Sequence, residues 1–309
     1  MTQFRLTRGA MLAFTACACA VWLTADCRAD EPQRPRDELS EPLYRVAKNV
    51  DEKATKEHPP HALDPALRIA RSGLEHIQAD VKDYTARLVK RERINGKLLD
   101  QEFADVKIRN RKVDADGNVV VPFSVYMRFL APEKLEGREV IYVENENEGK
   151  IVGHAGGKVL RLATVYLDPN GTFAMIDQRY PITELGIQVL TERLIEKGER
   201  DRQGDWDRNR DDETKVEFYK DAKINDRVCT LLRVTHPNPR PYYDFHVAQI
   251  FIDDELNVPI HYSAYSWPAV EGGRPLLEEE YTYMDVKVNV GLTDKDFDPR
   301  NPAYNYRNP

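Results

Sequence analysis

Histidines, a run of alternating acids and one late cysteine are the residues of this chain whose types could carry chemistry. His58 and His61 flank a diproline. Two imidazoles three positions apart could hold a metal, but a Pro-rich stretch with nothing apolar to anchor it reads as solvated linker. In residues 204–213, Asp205, Asp207, Asn209 and Asp211 alternate as the ligands of a calcium loop do. Position six of that loop is Arg210 rather than Gly, and position twelve is Val216 rather than a bidentate Glu. Such a loop lacks both its sharp turn and its last ligand, so the stretch is expected to be solvated. His154, His236, His246 and His261 lie in or at the ends of strand-like segments, and spacing does not show whether any two converge. Glu278 and Glu279 sit in a charged run of the kind found on a wet strand edge. Cys229 lies inside an apolar segment, 227–234, where a thiol is expected to be buried and inert. There is no G-x-S-x-G elbow, H-E-x-x-H, C-x-x-C or phosphate-cradling loop. The reading is therefore of a non-enzymatic protein, with no catalytic residue, metal-ligand set or cofactor motif.

Charge narrows the partners. The net charge is −7 over 309 residues, with 52 acidic and 45 basic side chains. Residues 1–29 read as a cleaved secretory signal: Arg5 and Arg8 precede an apolar run from Met11 to Ala25, and Cys27 and Ala29 are small residues at the −3 and −1 positions. That run is short for a membrane span. Removing this segment, with Arg5, Arg8 and Arg28 against Asp26, takes the net charge from −7 to −9. An acidic chain without a long basic run is a poor binder of nucleic acid or anionic membranes. Cleavage also removes three of the four cysteines, so no intramolecular disulfide is expected and the fold must hold by packing. The expected location is periplasmic or otherwise extracytoplasmic, with no transmembrane segment in the mature chain.

The elements that would position any site follow from periodicity. Residues 30–61 are rich in Pro, Glu, Arg and Lys and read as an extended arm, with one short helical face at Leu43, Val46, Ala47 and Val50. Residues 62–309 read as a single domain. Asp64 as N-cap and Pro65 at the first helical position open a helix whose stripe is Leu67, Ala70, Leu74, Ile77 and Val81. From Tyr84 the period changes to two, reaching Asn95-Gly96, a strong hairpin signal. The return strand alternates at Ala104, Val106 and Ile108. Eleven candidate strands follow one another in this way, interrupted by one helix expected to start at Thr183 and stop at Gly198 before a polar stretch, 199–213. No strand–helix–strand alternation appears. The fold class is mainly β (α+β): a strongly curved antiparallel sheet covered by a few helices.

Within that frame Phe123, Val125, Met127 and Phe129 put four large apolar groups on one strand face. They are either core beneath a helix or the lining of a ligand cavity for an apolar molecule. Val140 to Val143 is apolar on both faces and suits a strand covered on both sides. Asn145–Gly149 between residues 139–144 and 150–154 reads as a turn, with nothing to cradle phosphate.

Segments 132–154, 250–262, 278–306 and the hairpin at 83–98 together resemble a family of secreted proteins common in planctomycete-type bacteria, domain of unknown function 1571. The resemblance spans residues 65–306 and is most specific over Leu292–Tyr304. The order of elements also resembles the LolA/LolB-type lipoprotein carriers, and that resemblance implies a half-barrel wrapped around helices with an apolar cavity. No acyl-binding residue of those carriers maps onto an identifiable position here. The leading expectation is a binder of a lipid, acyl chain or lipidated polypeptide. A second is an envelope sensor or interaction module meeting an envelope protein through the arm or the 199–213 stretch. A third, a hydrolase, would need polar groups converging in the cavity.

Overall fold

The computed structural model describes residues 44–45, 48–49, 61–155, 164–207 and 214–307. These lie within the unit Glu41–Pro309. The expected signal segment and the rest of the expected arm lie outside the described residues, as do Asn209 and Asp211 of the calcium-like stretch.

Two short strands come first, β1 (Tyr44–Arg45) and β2 (Lys48–Asn49), where the sequence suggests a helical face. Helix α1 (Asp64–Asp80) follows. Its cap is Leu63, one residue earlier than expected. Asp64 instead accepts the backbone N–H of His61 (2.9 Å) and pairs with Arg202 (3.0 Å). Of the predicted stripe, Leu67, Ile77 and the flanking Val81 are buried.

The chain then runs through β3 (Asp83–Ile94), β4 (Lys97–Leu98), β5 (Glu102–Arg109), β6 (Lys112–Val113), β7 (Val119–Val121), β8 (Ser124–Ala131), β9 (Glu139–Val143), β10 (Ile151–His154) and β11 (Thr164–Leu167). Asn95 and Gly96 both take positive φ, 50° and 78°, the geometry of a two-residue hairpin matched to strand twist. After helix α2 (Ile187–Trp206) come β12 (Lys215–Ile224), β13 (Arg227–Thr235), β14 (Val247–Asp253), β15 (Val258–Ser266) and β16 (Leu276–Val288). All but β6 and β7, which pair with each other, join one large antiparallel sheet. Its path runs β1-β12-β13-β14-β15-β16-β3-β5-β8-β9-β10-β11. The fold is mainly β with two α-helices.

Helix α2 differs most from expectation. It begins at Ile187, after a short 3-10 turn at Ile182–Glu184, and runs through Gly198 to Trp206. Gly198 is an interior helical residue because α1 passes too close for a side chain. A Cβ there would lie 2.9 Å from Leu67 Cδ2. At Gly204 a Cβ would lie 2.3 Å from Tyr242 Cδ2. Both glycines are contact points rather than stops, so most of the supposed polar loop is helix.

The sheet is covered on both sides. On the inner side one core cluster gathers Ile77, Tyr84, Ile108, Val125, Phe129, Ile187 and others. On the outer side the C-terminal segment lays Phe297 and Tyr306 on Tyr126, Ile141, Val143 and Val152. Tyr304 stacks on Tyr126 with ring centroids 4.0 Å apart. Buried Glu139 accepts from Asn305 N (3.1 Å) and Nδ2 (2.6 Å). This cover is why Val140–Val143 of β9 are apolar on both faces.

Candidate functional site

The principal cavity lies between the inner face of the sheet and the N-terminal half of α2. Two buried phenols position that helix end. Tyr84 Oη accepts the N–H of Ile187 (2.8 Å), and Tyr283 Oη accepts that of Gly186 (3.2 Å). The first amides of a helix have no partner within it, so strand side chains supply one here. Burial raises the pKa of both phenols, keeping them neutral.

Beneath α2 the cavity measures about 160 Å³. Met127, Phe129 and Val140 line it from the sheet; Leu185, Leu190 and Leu194 line it from the helical side. At the mouth, Phe173 and Ile176 come from the connection between β11 and α2, 77% and 56% exposed. Of the four predicted cavity residues, Met127 and Phe129 line this cavity. Phe123 faces a separate, wider groove of about 760 Å³ with Tyr142, and Val125 is fully buried. A smaller cavity of about 80 Å³ lies between the helices and β13–β15 and shares Leu194 and Lys197 with the first.

One wall of the principal cavity is polar. Lys90 pairs in register with Glu102 on β5 and Tyr281 on β16, and Glu92 pairs with Glu279. Cross-strand partners share a face, so the strand pairing brings four charged residues to the interior. Lys90 Nζ lies 3.2 Å from Glu102 and 3.3 Å from Glu92, and donates to Gln178 Oε1 (2.6 Å). Tyr281 donates to Glu92, and Tyr262 donates to Glu279 (3.0 Å). Arg179 ties the mouth connection down, its backbone N–H on Glu92 (3.1 Å) and its Nε 3.3 Å from Glu279. Burial pushes the Glu102 carboxyl up, against the pull of Lys90, and raises Tyr262 and Tyr281 strongly. Glu279 is 2% exposed. Its placement overturns the expectation of a wet edge: alternation turns Glu279 and Tyr281 inward together.

A second polar cluster, largely buried, lies at the other end of α2. Asp205 accepts from Tyr243, from Thr214 (2.7 Å) and from Tyr242 (3.0 Å), and His61 Nε2 lies 3.0 Å from it. Thr214 Oγ1 is 3.2 Å from His236 Nδ1, and His236 Nε2 is 3.2 Å from Asp201. Tyr243 stacks on His236 at 3.7 Å between centroids. The hydroxyl, imidazole and carboxylate are those of a hydrolase triad, but Thr214, His236 and Asp201 are all buried and Thr214 is bonded to Asp205. A nucleophile needs a free hydroxyl and a path for its substrate, but the Thr214 hydroxyl is held by Asp205, and of the three only Asp201 lines a cavity, the smaller one. His61 and Asp205 are thus structural partners, where the sequence suggests solvated chain. The one signal that could have found them is the spacing Asp201–Asp205, which places two acids on one helix face.

The remaining candidates stay apart. Burial depresses the pKa of His261 to about 3, and His261 bonds Thr282 Oγ1 (2.8 Å). His246 Nδ1 bonds the His236 carbonyl (2.8 Å), and His154 lies beneath Tyr306. Cys229 is buried, its thiol pushed up to about 12 by burial. Among the described residues no group of three or more His, Cys, Asp or Glu is placed to hold a metal. None of their helices is long and apolar enough to cross a membrane.

Comparison with known proteins adds a family. Residues 81–306 match the model described as "Protein of unknown function (DUF1571)". No curated protein matches the chain. Similar solved structures include the Pseudomonas aeruginosa MucA/MucB complex, at 12% identity over 75% of this chain and 60% of that one, with a TM-score of 0.39. Another is a putative outer membrane lipoprotein-sorting protein domain from Vibrio parahaemolyticus, at 10% identity over 75% and 95%, with a TM-score of 0.34. A LolA-superfamily protein from Nitrosomonas europaea matches at 11% identity over 74% and 97%, with a TM-score of 0.29.

Proposed function

The chain belongs to the DUF1571 family, whose description assigns no function, and from that premise we propose a non-enzymatic, extracytoplasmic protein that binds an acyl chain, free or attached to a polypeptide. The observation that carries this reading is the apolar cavity under α2, with two exposed apolar side chains at its mouth. The polar wall does not favour hydrolysis. Glu92 accepts from Tyr281 and from the Arg179 N–H, and Glu279 accepts from Tyr262 and pairs with Arg179, so both are already engaged within the protein.

A half-barrel shape is part of the proposal. Tyr262 on β15 and Ile151 on β10 line the same cavity although six strand intervals separate them. At about 4.8 Å per interval a flat sheet would hold those strands roughly 29 Å apart, so a curled sheet accounts for a cavity this small. Bulges at Tyr219/Ala222, Phe251/Ile252, Ala264/Tyr265 and Met284/Lys287 supply bends.

Size sets the expected affinity. An engineered cavity of about 150 Å³ in another protein admits benzene, so the space here takes about six carbons as it stands. At about 0.8 kcal/mol per buried methylene those carbons contribute about 5 kcal/mol, enough only for weak binding. Longer chains must displace the Phe173–Ile176 connection or pass Leu194 into the smaller cavity. The test is native mass spectrometry of protein purified mildly from its own envelope, with titration by a fluorescent fatty acid. A bound apolar ligand and saturable uptake are expected, and Phe129→Asp should abolish uptake. Protein that carries nothing and takes up nothing sinks the proposal.

A further inference from the structure

The large sheet treats its two ends differently. At one end the outer side of β12 is taken by the chain itself, through Tyr44↔Ile224 and Arg45↔Lys223 in β1 and Asn49↔Tyr219 in β2. At the other end β11 pairs with β10 over four consecutive residues, and among the described residues no strand lies on its far side. The C-terminal segment reaches β11 through a side chain, Thr164 Oγ1 donating to the Arg307 carbonyl (2.8 Å). An open edge is a ready template for another strand, and proteins usually blunt theirs with lysine, proline or a bulge. β11 has none of these. It reads Thr-Val-Tyr-Leu, in unbroken register, with Val165 40% and Tyr166 46% exposed.

We propose that β11 is the landing strand for an extended polypeptide whose acylated end occupies the principal cavity, which makes the ligand an acylated polypeptide rather than a free lipid. This rests on the acyl-binding reading above. Continuity supports it: Leu167, at one end of β11, pairs with Ile151, which lines the cavity, and Pro169 two residues further lines it too. A chain leaving the mouth therefore emerges at the Leu167 end. If acylated at its N-terminus, it runs towards Thr164, antiparallel to β11 like every other pair in the sheet. Size argues against a second copy as the occupant. Four residues give only about 13 Å of edge, and a ladder that short buries much less than the roughly 800 Å² per partner of a stable interface. Linked to an acyl group already held in the cavity, the same short ladder forms at a high effective concentration and adds affinity.

The test uses the purified full chain and three probes: palmitate, an N-palmitoylated hexapeptide of alternating Thr and Val, and the same peptide N-acetylated. The palmitoylated peptide should bind about tenfold or more tighter than palmitate, with slowed amide exchange within Thr164–Leu167. The double variant Val165→Lys/Tyr166→Lys should erase that gain while palmitate affinity is unchanged, which also reports that the variant is folded. Equal binding of palmitate and palmitoylated peptide overturns the landing strand, as does a gain the variant leaves intact. An acetylated peptide binding as tightly as the palmitoylated one overturns the link between edge and cavity. If neither palmitate nor palmitoylated peptide binds, the acyl-binding reading falls and the landing strand falls with it.

Discussion

The two polar clusters along α2 are built on buried carboxylates, yet one lines the principal cavity and the other meets only the smaller one, through Asp201. The ladder of Lys90, Glu92, Glu102 and Glu279 is assembled by strand register, and its partners Gln178 and Arg179 come from a surface connection. The Asp205 cluster joins the start of α1, the end of α2, the start of β12 and the link between β13 and β14. Every polar group added to the second ties another part of the chain into the core. In the first, Gln178 and Arg179 fasten the cavity mouth to the sheet. Carboxylates in a core are thus no guide to function until access is known.

The largest effect that would test this contrast is expected at Asp205. Asp205→Ala leaves His61, Thr214 and Tyr243 buried without their acceptor and should cost about 3–5 kcal/mol in urea unfolding. Fatty-acid uptake per folded molecule should be unchanged, and a loss of uptake would erase the distinction between the clusters. Next comes Gly198→Leu, which drives a side chain into Leu67 and the smaller cavity. It should cost about 1–3 kcal/mol and weaken long-chain ligands more than short ones, measured as the ratio of affinities for palmitate and hexanoate. Arg179→Ala should cost about 1 kcal/mol or less in stability, since its guanidinium is partly exposed. Stopped-flow uptake should become faster as the mouth loosens.

The smallest effect concerns pH. The folded-state pKa of Glu102 is raised, so protonation favours the fold: its contribution is fully present below the ordinary carboxyl range and is lost as pH rises through the raised value. Asp253, held low by Arg227 and by the N–H groups of Glu255 and Leu256 against its burial, works oppositely and loses its contribution as pH falls below that range. Glu102→Gln should therefore flatten the decline in stability above the ordinary carboxyl range without altering the acid limb. Urea midpoints for both proteins across that range give the answer, and parallel curves would remove Glu102 from the account.

Much of the frame was legible because it depends on near neighbours. The positive φ of Asn95 and Gly96, the inward set Ala104, Val106 and Ile108, and the α1 face at Leu67 and Ile77 follow from periods of two and 3.6. The face Phe123, Val125, Met127 and Phe129 was equally legible as one buried set. Its division among a cavity, a groove and solid core was not, because α2 decides which of the four it covers.

The sequence by itself determined the alternation of the strands, the hairpin turn and the doubly apolar β9, since each is set by residues a few positions apart. Tertiary structure alone decided that Gly198 is a crossing point, that Glu279 faces inward beside Glu92, and that His61 meets Asp205 from 144 residues away. The physical reason is common to all three. A glycine that ends a helix and one that admits a neighbouring helix are the same residue, and a charged side chain is solvated or buried according to partners that only the folded chain brings to it.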